Sequence, residues 1–226
     1  MRLRVVLASL VAVIGGAVFA PTGSATAECH GIKDCVSVPG PWVVVPAHGE
    51  ATYLLQCPGL KGIVGGLDAL ATSPQVRATF EGRLGSPVAP GTTTTRFAIF
   101  HAQSSADTAQ AFRPYIGCIP TSGGGARSTT SARATAPGTP FDFWMKQAAV
   151  TRPNQTLTSA CKPGEKLVSA WSAVVFDSQN PPDSALASRV HVALKRAAAS
   201  ATAVISVTGG LPATARPEVQ VVAVCG

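Results

Sequence analysis

His101, Ser104, Ser105 and Asp107 stand within one short stretch and supply the residue types of nucleophilic catalysis: a hydroxyl, a base to take its proton and a carboxylate to orient the base. The stretch reads as a strand end running into a polar loop, so nothing in the spacing assembles the three roles. Ser159-Ala160-Cys161-Lys162 matches S-x-x-K, a pattern in which a serine opening a helix is activated by a lysine one turn on. Here the segment reads as a strand carrying a disulfide cysteine, the partner motifs SDN and KTG are missing, and the match is chance. No GxSxG elbow occurs. The histidines, at 30, 48, 101 and 191, are scattered, with no HExxH and no acidic loop of EF-hand type. Gly65-Gly66-Leu67-Asp68 invites a phosphate-loop reading, but no lysine or helix follows at the needed spacing. Glycines inside a strand mark a bulge or a close backbone approach instead. The chain is poor in acidic and aromatic residues, so no carboxylate pair in a sugar-stacking cleft can be nominated. The residues therefore nominate no catalytic, cofactor-binding or metal site.

What the chain does carry is a cysteine framework. Cys29, Cys35, Cys57, Cys118, Cys161 and Cys225 are an even set, which in an exported chain reads as disulfides. The absence of any CxxC pair argues against metal. Sequence alone leaves the pairing open, but an internal duplication narrows it. Cys57 opens CPGLKGIVGGLDAL and Cys161 opens CKPGEKLVSAWSAV. Aligned on these cysteines without a gap, Ile63 and Val64 fall opposite Leu167 and Val168, and Leu70 falls opposite Val174. Each unit closes on a cysteine, Cys118 in PYIGC and Cys225 in VVAVC, after nearly equal spans. Equivalent units predict Cys57–Cys118 and Cys161–Cys225, with Cys29–Cys35 as a small N-terminal loop.

The elements that must position any site are strands. In 76–84 the even positions are apolar or small and the odd ones polar, the signature of a strand with one face on a core. In 186–195, Leu186, Ser188, Val190, Val192 and Leu194 alternate in the same way with Ala187, Arg189, His191, Ala193 and Lys195. Further strands are expected at 41–46, 50–57, 61–70, 93–102 and 111–119, then at 141–150, 154–161, 165–176, 201–208 and 217–225. Gly, Pro, Asn and Asp clusters separate them. The alanine-rich stretch 196–203 is a weaker candidate for a helical turn. The expectation is an all-β fold: two tandem antiparallel β-sandwich-like units, each with one internal disulfide. The division is a signal peptide at 1–27, a first unit at 28–120, a flexible linker at 121–139 and a second unit at 140–226. The linker contains no aromatic residue and no aliphatic side chain larger than alanine. Trp42 and Trp144 read as core anchors before the opening cysteine of each unit. Trp171, after Cys161, gives only an analogy to immunoglobulin sandwiches. Asn154-Gln155-Thr156 is a sequon.

The N-terminus carries Arg2 and Arg4, an apolar run from Val5 to Ala20 and the small-x-small site Ala25-Thr26-Ala27, which reads as a signal peptide cleaved after Ala27. No later stretch is long and apolar enough to span a membrane. The net charge of +7 falls to +5 when Arg2 and Arg4 are removed. There is no Lys/Arg run and no basic face with interleaved aromatics, which speaks against nucleic acid as a partner. A mild positive field suits acidic cell-wall polymers and also simply keeps the chain soluble.

GPWVVVP, CPGLKGIVGGLDA, GRLGSPVAPGTTTTR, PYIGCIPTSGGG and CKPGEKLVSA together resemble an uncharacterised family of secreted, cysteine-bounded β-repeat proteins of high-GC bacteria. The resemblance covers most of the chain after the signal segment. It implies export and duplication and transfers no catalytic residue and no ligand. The resulting expectation is a non-catalytic exported protein that binds or decorates the cell envelope, with a cell-wall polymer or other extracellular ligand as partner and no cofactor. Repeating a unit would give two sites and an avidity gain. The alternatives are a secreted hydrolase with a site between the units, and an inhibitor of extracellular proteases acting through the loop at 85–95.

Overall fold

A glycine–proline step near the start of the first unit sets its architecture. In the computed structural model, which describes residues 36–58, 62–81, 97–120, 134–136 and 139–226, β1 (Val36–Pro39) and β2 (Trp42–Val45) run end to end along one edge of β7 (Gln110–Pro120). Gly40 lies between them and donates its N–H to Pro114 O at 2.8 Å. A Cβ there would stand 2.8 Å from Pro114 Cγ, so the close approach needs glycine. The other edge of β7 carries β4 (Gly62–Ala71). A second, three-stranded sheet runs in the order β3 (Glu50–Gln56), β6 (Phe97–Ser104), β5 (Val76–Glu81).

The second unit has the same plan. β9 (Thr139–Ala149), β14 (Pro217–Cys225) and β11 (Leu167–Phe176) form its larger sheet. β10 (Asn154–Ala160), β13 (Ser200–Val207) and β12 (Val190–Ala197) form the smaller one. Every strand pair among the described residues is antiparallel. The disulfide Cys57–Cys118 ties the residue after β3 to β7, and Cys161–Cys225 ties the residue after β10 to β14. Each bridge thus joins the small sheet of its unit to the large one. The fold is all-β, with two antiparallel sandwich-like units and one disulfide in each.

Alternation explains the packing. Val43, Val45, Tyr53, Leu55, Phe100 and Phe112 fill the first core. Phe100 and Phe112 are both fully buried, and each contributes roughly 2 kcal/mol of burial. Val219, Val221 and Ala223 meet Ala201, Ala203 and Ile205 in the second core. The units are not separate bodies. β2 pairs β11 at Trp42↔Phe176 and Val43↔Val175, which joins the two large sheets into one of eight strands. The strands at this seam serve both cores: Ala173 and Val175 of β11 pack in the first, Trp42 and Val44 of β2 in the second. A third cluster of Leu54, Phe97, Ile99 and Val222 lies between the units, with Phe143, Met145 and Trp171 against it. Gln179 O accepts hydrogen bonds from Trp42 Nε1 (3.3 Å) and Arg113 Nη1 (3.4 Å), a further tie across the seam.

Several sequence expectations change. The strand expected through 186–195 begins only at Val190. Ahead of it, α1 (Ser184–Ala187) forms because Asp183 caps it, its Oδ1 accepting from Leu186 N at 2.6 Å. Pro181 and Pro182 precede the cap and have no N–H to extend a ladder. The alanine-rich stretch 196–203 holds no helical turn. Ala197 pairs with Ser200 across a two-residue turn, and burial of Ala201, Ala203 and Ile205 overrides alanine's helix propensity. Phe80, read as core-facing, is 49% exposed. Ala134–Ala136, within the span read as linker, forms β8 and pairs with β9. The glycines at 65–66 mark a bulge as expected, since the β4–β7 register shifts between Val64 and Gly66. Val64 pairs with Cys118 and Leu167 with Cys225, so relative to the closing cysteines Val64, rather than Ile63, stands where Leu167 does. The sequence from Cys57 to Val64 is one residue longer than that from Cys161 to Leu167. The signal segment 1–27, the Cys29–Cys35 pair, His30 and the loop 85–95 lie outside the described residues. Among the described residues no helix is long and apolar enough to cross a membrane.

Candidate functional site

The β2–β11 ladder stops after two residue pairs. Beyond it, Val44 and Val45 pair with β7, and Ser172–Val174 pair with β14. Val44 and Ser172–Val174 line a cleft of about 700 Å³ that opens where the two strands part. Both units build it. The first supplies the turn after β2, the start of β3 and the 107–109 loop; the second supplies α1 with its C-cap Ser188 and the first residues of β12. The cleft is therefore shared between the units rather than repeated in each.

Two carboxylates border the cleft, Glu50 and Asp107, and among the described residues no lysine or arginine lines it. Glu50 Oε1 accepts from Gln103 Nε2 at 2.9 Å. Asp107 Oδ1 lies 2.9 Å from His48 Nε2. His48 sits in a tight turn at φ +48°, with Gly49 N donating to Pro46 O at 3.1 Å. This contact links the turn to the 107–109 loop. His191 also lines the cleft, its Nε2 3.4 Å from Thr208 Oγ1. The remaining lining is Pro46, hydroxyls (Ser172, Ser184, Ser188, Thr108), alanines and valines, a mixed surface of the kind that holds small ligands.

The triad types named in the sequence do not meet. Asp107 pairs with His48; Ser104 is buried and accepts from Ala106 N; Ser105 Oγ donates to Gln75 O. His101 instead faces Thr52 across the ladder, Nδ1 to Oγ1 at 3.2 Å, with Glu81 Oε1 3.4 Å from Nε2. These three residues line a second concavity of about 320 Å³ on the outer face of the first unit's small sheet. They reproduce a hydroxyl–imidazole–carboxylate set. Acyl transfer also needs paired N–H donors converging on one oxygen, whereas successive N–H groups of a strand point to opposite edges. The Thr52–His101 contact is the ordinary cross-strand kind.

Ser159 and Lys162 are equally occupied. Ser159 Oγ donates to Trp144 O at 2.6 Å from within β10, and Lys162 Nζ lies 4.5 Å over the Trp144 ring and 3.6 Å from Asp142. Among the described residues one His/Cys/Asp/Glu triple is close enough to hold an ion: Cys161, Glu165 and Cys225. Its sulfurs are bonded to each other, and Glu165 Oε2 accepts from Trp144 Nε1 and Lys162 N.

Sequence reading missed the polar seam beside the cleft. Gln220 is fully buried on β14. Its Nε2 donates to Gln147 Oε1 at 3.1 Å, which also accepts from Tyr53 O–H at 3.2 Å. Gln147 Nε2 donates to Glu218 Oε2 at 2.6 Å. Burial of Tyr53 pushes its phenol well above its usual range, only partly offset by the Gln147 hydrogen bond. The one available signal was a single glutamine inside the apolar run PEVQVVAVC. No protein-family model, curated protein or solved structure matches the chain.

Proposed function

We propose that this chain is an exported, non-catalytic binding protein of duplicated β-sandwich units that holds a cell-envelope ligand in the cleft at their junction. The observation that carries the reading is the cleft of about 700 Å³, built jointly by the two units. Duplication is supported by the matching strand orders and by the two register shifts, Val64/Gly66 and Leu167/Ser169, each beside a closing cysteine. Export is supported by the two disulfides and by the signal-like N-terminus.

The test is co-sedimentation of the chain lacking 1–27 with purified cell-wall material across a salt series. Saturable binding that survives moderate salt is the expected result. Binding that disappears with salt would reduce the interaction to attraction by net charge. The hydrolase alternative has one observation in its favour, the Thr52–His101–Glu81 set. Ester turnover abolished by both Thr52→Ala and His101→Ala would replace the binding reading with it.

A further inference from the structure

Resting on that reading, we infer that the junction cleft accepts a short extended peptide carrying a primary ammonium group, such as an amine-bearing peptide of a cell-wall polymer. Three features of the cleft carry this. The first is strand geometry. On the side where β2 and β11 would continue their ladder, Val44 and Ser172–Val174 line the cleft and pair only with β7 and β14. An extended chain laid there meets strand edges, and main-chain hydrogen bonding is how peptides add to sheets.

The second is charge. The chain without residues 1–27 carries +5, yet the cleft is bordered by Glu50 and Asp107 and, among the described residues, lined by no lysine or arginine. The long-range field draws in an anionic polymer, while the cleft selects a cationic group on it. Each carboxylate is held in place by one neighbour, Glu50 by Gln103 and Asp107 by His48, which leaves further acceptor positions for an ammonium.

The third is the lining. Sugar rings are ordinarily gripped by the faces of Trp, Tyr or Phe, and among the described residues none of these lines this cleft. Alanines 47, 51, 109, 173 and 185 leave room for a backbone with small side chains.

The test is an NMR titration of the chain lacking 1–27 with end-blocked Ala-Ala-Lys-Ala, with its Nε-acetyl counterpart and with a glucosamine tetramer. The free-amine peptide is expected to shift the amide signals of Val44 and Ser172–Val174. A partly screened ion pair should make it bind about threefold tighter than the acetylated peptide, and Glu50→Gln/Asp107→Asn should erase that difference. Equal binding of the two peptides overturns the inference, as does binding of the glucosamine tetramer that matches the free-amine peptide. Co-sedimentation with wall material separates the two readings. If the double variant sediments like the parent and the peptides do not discriminate, the ammonium-peptide inference falls and envelope binding stands. If the parent itself does not sediment, envelope binding falls.

Discussion

The Gln220 side chain makes both of its hydrogen bonds to the unit opposite with one residue: Oε1 accepts from Leu54 N and Nε2 donates to Leu54 O, each at 2.9 Å. Leu54 lies on β3, an edge strand of the first unit's small sheet, and Gln220 lies on β14 in the middle of the second unit's large sheet. The carboxamide thus completes a strand edge that would otherwise be buried with unpaired backbone groups. It is also what makes the two sandwiches one body at this point, beside the apolar contact of Leu54, Ile99 and Val222.

Gln220→Leu removes both partners from a buried N–H and a buried C=O. The expected cost is about 3 kcal/mol, the penalty for two unsatisfied buried groups. Urea unfolding measures it. A loss below about 1 kcal/mol would show that the seam relaxes and that the apolar cluster alone holds the units together.

The disulfides close loops of 61 and 64 residues. Replacing Cys57 and Cys118 together by serine is expected to cost about 4 kcal/mol in the chain-entropy account, and the Cys161/Cys225 pair about the same. Non-reducing peptide mapping checks the pairing directly. Cys57 found with any partner other than Cys118 would break the two-unit architecture.

Tyr53 gives a pH dependence. Its phenol is raised in the fold from the ordinary value of 10.0 because it is buried, so the unfolded chain ionises first as pH rises. Stability from this group is complete below pH 10.0 and is lost progressively above it, as the unfolded state sheds a proton that the folded state keeps. Unfolding midpoints measured from pH 8 to 11 should fall, and Tyr53→Phe should flatten that fall. An unchanged slope in the variant would locate the effect elsewhere.

Asp183→Ala tests the short helix at the cleft. Loss of the cap is expected to cost about 1 kcal/mol or less, because α1 is a single turn on the surface. Faster amide exchange confined to residues 184–188 would show it. Exchange quickened throughout β12 would mean that α1 anchors the strand rather than merely preceding it.

The strands and the two described disulfides were legible because period-2 alternation and paired cysteines are local or self-matching signals. Positions 217–225 were read as a strand, and β14 occupies them. The helix at 184–187 was not, since Ala185, Ala187 and the flanking residues alternate well enough for a strand and only the Asp183 cap tips the balance. The cleft lay beyond reach for a deeper reason. Its existence depends on Val44 and Val174 failing to continue a pairing that Val43 and Val175 begin. That failure comes from how two distant strands meet, and no residue pattern encodes it. Gln220 was visible as a polar interruption, but its partner is a backbone, which leaves no mark on the sequence.

The central claim is that the junction cleft binds an envelope component. Ala185 is exposed on α1 and lines the cleft, so Ala185→Trp puts a large side chain into it from the surface. The decisive measurement is co-sedimentation of the parent and Ala185→Trp chains, both lacking 1–27, with cell-wall material at moderate salt. The expected result is saturable binding by the parent and its loss in a variant with an unchanged unfolding midpoint. Equal binding by the two chains would place the binding surface outside the cleft and contradict the account.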